Sequence, residues 1–184
     1  MNASSSEMNK AIYQALCACL GLSPDTAAAS SLICRAYAEP ENAPQPPRDR
    51  NVIYYSLLQE NGDPLPQSWQ LSSGSSATAV PVAAHNTLSY RLIIVCYGPD
   101  AEKHALRIRA LLFLDGAGKP RSILRAANIF PVPNPPQPEL LWEQEGSLWR
   151  RRADLTVSLR VSDILSASIS AATSPPSVII KRQT

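Results

Sequence analysis

The sequence has few charged, aromatic and glycine residues, and it has no long apolar run. Charged residues make up 17% of the 184 residues, aromatic residues make up 6%, and there are seven glycines. The net charge of +2 is too small to indicate nucleic-acid binding by itself. No stretch approaches the roughly 20 apolar residues of a membrane span, and the N-terminus is serine-rich and acidic before any apolar run. We therefore expect a protein made and folded in a cytoplasm, with no membrane partner.

Motifs that carry enzyme chemistry are also missing. The sequence has no GxGxxG phosphate loop, no GxxxxGK[ST] loop and no GxSxG nucleophile turn. The two histidines, His85 and His104, do not suggest a catalytic triad. No pair of the four cysteines has zinc-site spacing, which favours buried free thiols in a reducing compartment. We accordingly predict a protein that is not an enzyme, with no catalytic residue, no cofactor and no bound metal. The four cysteines are Cys17, Cys19, Cys34 and Cys96.

Apolar residues at helical spacing predict three to four helices. Serines near residue 4 and Gly21 bound the first helix, and an alanine-rich helix is expected over 27–38. Pro99 suits the first turn of a third helix that ends at Gly116. A short fourth helix is predicted over 122–128.

Strands are predicted from β-branched residues and from alternating polarity. Leu88 to Tyr97 is apolar on both faces, which is typical of a strand inside a covered sheet. From Ala153 to Val161 the polarity alternates strictly, as in an antiparallel strand with one wet face. Because strands and helices do not alternate along the chain, we predict an α+β fold in which helices pack on a mainly antiparallel sheet of four to five strands. Strands are expected at 51–58, 88–97, 148–161 and 177–181, with a turn at 143–146 that follows a proline-rich extended connection.

The chain is predicted to form one domain over residues 1–184, with two extended segments. Residues 65–87 form a long polar connection, part of which (77–83) suits an edge strand. A connection of this length is unusual inside a compact domain. It fits either a solvated loop or an arm that becomes ordered against a neighbouring subunit. A C-terminal extension is expected at 166–184.

A cluster of tryptophan and arginine residues supplies the candidate functional site. Tryptophan and arginine are the residues that most often anchor protein interfaces. Two other interpretations remain open: an exposed strand end whose charges pair with Glu143 or Glu145, and a DNA contact that Asp154 partly offsets. Trp69 and Trp142 are expected to lie partly in the core. The candidate subunit-interface residues are Tyr97, Trp149, Arg150, Arg151, Arg152 and Asp154.

Three segments together resemble the neck or tail terminator proteins of long-tailed bacteriophages. They are 97–101 (YGPDA), 126–133 (AANIFPVP) and 149–155 (WRRRADL). The order and spacing of the segments carry the resemblance, which spans roughly residues 50–182.

The resemblance implies a structural virion protein at the junction of neck and tail. Its copies would close into a homohexameric ring that caps the tail tube protein and docks the head connector. Viral DNA would pass through the channel without sequence-specific binding, and no catalytic residues carry over from the family. The alternatives are a head-completion or tail-tube protein of a phage, or a small nucleic-acid-binding domain.

Overall fold

The computed structural model describes residues 5–36, 49–60, 68–71, 79–114 and 118–170. Within them, helices pack on a mostly antiparallel sheet, so the predicted α+β class is confirmed. The helices are α1 (Ser5–Leu20), α2 (Ala27–Leu32), α3 (Ala101–Phe113) and α4 (Lys119–Ala126). The strands are β1 (Ile33–Arg35), β2 (Val52–Gln59), β3 (Ser68–Leu71), β4 (Ala79–Tyr97), β5 (Ile129–Pro131), β6 (Glu139–Glu145) and β7 (Leu148–Ser170).

The antiparallel pair of β4 and β7 forms the centre of the sheet. Every residue of β4 pairs with β7, from Ala79 opposite Ser170 to Tyr97 opposite Arg152. A strand of 19 residues extends about 60 Å at the usual rise of a strand. β2 and β3 add to the free side of β4, and β5 and β6 add to the free side of β7. β1 joins β2 in parallel at one edge.

The core lies between one face of this sheet and the helices. The alternate residues of β7 from Ala153 to Val161 are buried, as the sequence predicts, and face buried residues of α1, α3 and α4. On β4 the buried series runs from Tyr90 to Cys96, in register with the β7 series. The opposite face of the sheet, here called the outer face, carries half-buried residues such as Ile93 and Val95.

Two helices differ in length from the sequence prediction. The alanine-rich helix predicted over 27–38 ends at Leu32, and Ile33 to Arg35 become β1 instead. Pairing with β2 satisfies the main chain of these residues, and this long-range contact overrides a local helical preference. The helix predicted over 122–128 begins earlier, at Lys119, where Pro120 occupies its first turn.

The two extended segments contain more strand than predicted; where an edge strand was expected at 77–83, residues 79–83 lie in β4, and residues 82 and 83 are paired on both sides. Within 65–87, residues 68–71 form β3 and residues 79–87 form the first part of β4, where the long pairing with β7 satisfies their main chain. The rest of that segment lies outside the described residues. β7 continues to Ser170, so it includes the start of the predicted extension. The remainder, with the strand predicted over 177–181, lies outside the described residues.

Candidate subunit interface

Strand alternation divides the candidate interface residues between the two faces of the sheet. Ala153 faces the core, so its neighbours Arg152 and Asp154 lie on the outer face. Arg150 lies there too, and Tyr97 is directly opposite Arg152 across the β4–β7 pair. Trp149 and Arg151 lie on the other face, the one that the helices cover further along the sheet. The structure thus brings four of the six candidates together and places the other two on the opposite face.

On the outer face, both arginines lie over the ring of Tyr97. The guanidinium carbon of Arg150 is 4.4 Å from the ring centroid, and that of Arg152 is 5.7 Å away. Tyr54 meets the same ring edge-on, with the centroids 6.1 Å apart and the planes at 79°. A cation over an aromatic face is attracted by the ring electrons, so the Tyr97 ring holds both arginines close to the sheet.

Arg152 is the electrostatic centre of this cluster. Its Nε and Nη2 atoms each donate a 2.7 Å hydrogen bond to the carboxylate of Asp154, and Nη1 lies 3.5 Å from Glu143. The pKa of Arg152 is raised, chiefly by the hydrogen bonds to Asp154. Burial, followed by a hydrogen bond to Glu143, raises the pKa of Tyr97 to about 12. Arg152 and Asp154 therefore compensate each other within the chain.

Arg150 differs from Arg152 because two of its guanidinium nitrogens have no hydrogen-bond acceptor within the described residues. Its Nε and Nη2 atoms are buried and have no hydrogen-bond partner within the described part of the chain. Its guanidinium lies against the face of the Tyr97 ring. Buried donors without an acceptor are rare in native proteins. Arg150 is therefore the residue of this cluster that most needs an additional acceptor.

The opposite face carries an exposed apolar surface on the hairpin of β6 and β7. The side chains of Trp142 and Trp149 are 66% and 62% exposed, and Leu140 on the same face is also exposed. Leu141 is exposed on the outer face. The expectation that Trp142 lies partly in the core is wrong, because β6 is an edge strand beyond the cover of the helices. The side chain of Trp69 is not among those described.

Leu140, Leu141 and Trp142 were not among the interface candidates predicted from the sequence. The signal was present, because three large apolar residues in succession on one strand cannot all face a single core. The hairpin turn lies at Gly146, so residues 143–145 belong to β6 rather than to the predicted turn.

The turn between β4 and α3 fixes the cluster to the rest of the fold. Gly98 has φ +106°, and its N–H donates a 3.3 Å hydrogen bond to the carbonyl of Arg151. The Asn51 side chain accepts a 2.9 Å hydrogen bond from the N–H of Asp100 and donates one of the same length to its carboxylate. On the helix side, Arg151 forms an ion pair with Glu102 in the first turn of α3. The hairpin base is thus held by β4, by β7 and by α3.

Titratable groups away from the hairpin do not assemble into a reactive site within the described residues. No group of three or more histidine, cysteine or acidic side chains there has the arrangement of a metal site. Burial raises the pKa of Cys19 and of Cys96 to about 12, which keeps these thiols protonated and unreactive at neutral pH. Burial also lowers the pKa of His104, which is half-buried on α3. No described helix is long and apolar enough to cross a membrane.

Comparison with known proteins identifies the family. The profile of a family described as phage neck terminator proteins matches residues 6–181, which is nearly the whole chain. None of the curated proteins matches the chain. The match begins well before residue 50, so it includes α1 and α2 in addition to the segments that carried the resemblance in the sequence. The chain belongs to the phage neck terminator protein family.

Proposed function

We propose that this chain is the ring-forming terminator of a phage tail. Its family gives it a structural role in the neck of the virion. In the finer proposal, six copies close into a ring on the head-proximal end of the tail, cap the tube formed by the tail tube protein and dock on the head connector. Viral DNA passes through the ring without sequence-specific contacts. The chain is synthesised in the cytoplasm of the bacterial host.

The exposed hairpin of β6 and β7 is the observation that carries this proposal. Leu140, Leu141 and Trp142 project from the edge strand β6, whose other residues are polar, and Trp149 projects from the neighbouring part of β7. Exposed apolar surface of this kind marks protein contacts, and an unpaired strand edge readily pairs with another chain. A ring subunit needs such surfaces, because each copy contacts two neighbours as well as the tube and the connector.

The two extended segments contribute differently to the proposal. Residues 79–87 pair with β7, and residues 82–85 also pair with β3, so the main chain of residues 82–85 is not available to join a neighbouring sheet. We therefore do not propose strand addition by these residues. The C-terminal extension beyond residue 170 is proposed to lie along a neighbouring subunit.

Electron cryo-microscopy of whole particles tests the proposed position. We expect one closed ring of six copies between tail tube and connector, identified by its side-chain density. Copies repeated along the tail would instead indicate a tube protein, and copies at the portal would indicate a head-completion protein. Absence of the chain from the particle would overturn the structural role.

A second test uses a phage in which this gene is interrupted. Loss of a terminator leaves tube growth without a stop, so we expect headless tails of variable length together with filled heads that lack tails. Tails of uniform length would contradict the capping role. Supplying the protein in trans is the control, and it should restore joined particles.

A further inference from the structure

We propose that residues 177–181 of one copy pair, as an added strand, with the free edge of β7 in the next copy. This inference rests on the proposed ring and names the segment and the edge that join its subunits. The edge, here called the β7 edge, consists of residues 163–170 on the side of β7 away from β4. Residues 177–181, here called the C-terminal run, have the sequence SVIIK.

The β7 edge is the part of β7 that has a described neighbour on one side only. On the side away from β4, β6 pairs with residues 148–154 and β5 pairs with residues 159–161. From Asp163 to Ser170 the pairing with β4 continues, while no other described strand lies alongside. A stretch of this length extends about 25 Å at the usual rise of a strand. It is therefore long enough to pair with a strand of five residues along its whole length.

The main chain shows which groups the β7 edge offers. On the side away from β4, the carbonyl of Ser158 accepts a 2.9 Å hydrogen bond from Val132, and the N–H of Ser162 donates a 3.1 Å bond to Asn128. Successive residues of a strand direct their N–H and C=O groups to opposite sides, so the even-numbered residues of β7 face this side. The pairing with β4 is continuous to the end of β7, so the alternation continues. Four residues therefore direct their main-chain groups to the β7 edge, where no described strand receives them. These residues are Ile164, Ser166, Ser168 and Ser170.

The other edge strands of the described sheet are shorter or more highly charged. β1, β3 and β5 have three or four residues each, and β6 carries three glutamates among its seven residues. Short strands and charged side chains are features that keep an edge from pairing with another chain. The β7 edge has one charged residue, Asp163 at its start, and no proline. Its sequence therefore leaves it open to strand addition.

The chain itself supplies a strand of suitable sequence and position. Three successive residues of the C-terminal run are β-branched, which favours an extended conformation. The family profile extends to residue 181, so the run lies within the part of the chain that defines the family. An extended connection from Ser170 to Ser177 reaches about 24 Å. The run can therefore pair with the β7 edge of another copy that lies within this distance.

The connection over 171–176 favours the edge of another copy over the edge of the same strand. A strand that folds back directly needs a tight turn, which usually contains glycine, asparagine or aspartate with a positive φ. The β6–β7 hairpin contains such a residue, Gly146 with φ +64°. The connection, AATSPP, contains none, and its two prolines keep Ser174 and Pro175 extended. The contact between the run of one copy and the edge of the next is heterologous, and it generates a ring when the rotation closes.

Truncation tests whether the C-terminal run is needed. A phage in which this gene is interrupted is supplied in trans with a chain that ends at Pro176 or, as the control, with one that ends at Lys181. The core residues lie between Met8 and Val161, so both chains should fold and give similar circular dichroism spectra. We expect at least about tenfold fewer joined particles with the shorter chain, because several main-chain hydrogen bonds are lost together. Equal numbers of joined particles would overturn the proposed contact.

A pair of proline variants tests the β7 edge. Ser166→Pro removes an N–H group that faces the free edge, whereas Ala167→Pro removes one that faces Val82 of β4. Proline is tolerated where the N–H group of an edge strand has no partner within the chain. Ser166→Pro should therefore retain its melting temperature and lose joined particles, whereas Ala167→Pro should lower the melting temperature. Normal numbers of joined particles with Ser166→Pro would contradict pairing at this edge.

Cross-linking in assembled particles distinguishes a neighbouring copy from the same chain. Ser168→Cys and Ile179→Cys are introduced together with Cys34→Ser, which removes the half-buried native thiol and leaves three buried ones. A short bis-maleimide should then yield a ladder of covalently joined copies on a denaturing gel, and either new cysteine alone should yield none. A cross-link within single chains, found by mass spectrometry, would show that the run pairs with its own β7 and would overturn the proposal.

Electron cryo-microscopy of the same particles separates this inference from the proposed ring. A ring between tail tube and connector that yields no ladder would overturn the contact and leave the ring standing. Absence of any ring would overturn both. A ring in which density for the C-terminal run lies beside the β7 edge of the next copy is the expected result.

Discussion

Replacing Gly98 with alanine should destabilise the fold more than any other glycine change in the described part of the chain. Gly98 connects Tyr97 to the start of α3 and has φ +106°, which side-chain-bearing residues rarely adopt. A Cβ atom there would lie 2.6 Å from the carbonyl oxygen of Arg50 and 2.6 Å from Oδ1 of Asn51. The strained backbone costs about 1–3 kcal/mol. Overpacking against these oxygens adds about 1–3 kcal/mol. We therefore expect Gly98→Ala to cost about 2–6 kcal/mol.

Gly146→Ala is the matched control for this prediction. Gly146 also has a positive φ, +64°, but an added Cβ atom would meet no other atom within 4 Å. Its alanine variant should lose only about 1 kcal/mol, which is the cost of the left-handed conformation. Urea unfolding followed by circular dichroism measures both free energies of unfolding. If Gly98→Ala costs no more than Gly146→Ala, the close approach of Asn51 does not constrain this turn, and the reasoning fails.

Two further predictions concern charged groups. A double-mutant cycle with Arg152→Gln and Asp154→Asn should give a coupling energy of about 1–2 kcal/mol, because both hydrogen bonds are charge-assisted and partly buried. The more exposed Arg91–Glu60 pair should give less than about 1 kcal/mol in the same assay, and equal couplings would contradict the argument. Burial lowers the pKa of His104 below 6.5, so below that pH the unfolded chain binds more protons than the folded chain. Stability should therefore fall as the pH decreases from about 7 to 5, and His104→Gln should reduce this slope in thermal melts; an unchanged slope would refute the assignment.

Periodicity in the sequence was sufficient for the elements whose burial follows a local pattern. The apolar spacing of α1 and α3 and the alternation of β7 predict the elements that form the core. β1 was missed because a three-residue strand depends on pairing with β2, which no local pattern records. The first part of β4 was predicted only in part, as a possible edge strand at 77–83, because no alternation of polarity marks residues 83–87, which are held in the strand by pairing with β7.

By contrast, the sequence was sufficient to predict which residues of the Trp-Arg cluster lie on each face of the sheet. Alternation that is strict from Ala153 onwards can be extended backwards, which places Arg152 and Arg150 with Asp154 and places Arg151 with the core-facing series. The contact with Tyr97 was not available, because the register of β4 against β7 joins residues more than fifty positions apart. The local pattern therefore predicts the face of the sheet on which each residue lies, and only the register of β4 against β7 predicts which residues it contacts.

The charge balance of the cluster favours a protein contact over a DNA contact. Arg151 pairs with Glu102, and Arg152 pairs with Asp154, so the three arginines provide one uncompensated charge rather than three. Each phosphate that a cation neutralises adds to the salt dependence of binding, and ion-paired arginines add little. The remaining cation, Arg150, lies against the face of Tyr97 with two nitrogens buried, which suits a single acceptor from a protein neighbour better than a mobile phosphate backbone. In the proposed ring, DNA slides through the channel and needs few fixed phosphate contacts. A cluster in which two of three arginines are already paired with carboxylates provides few such contacts.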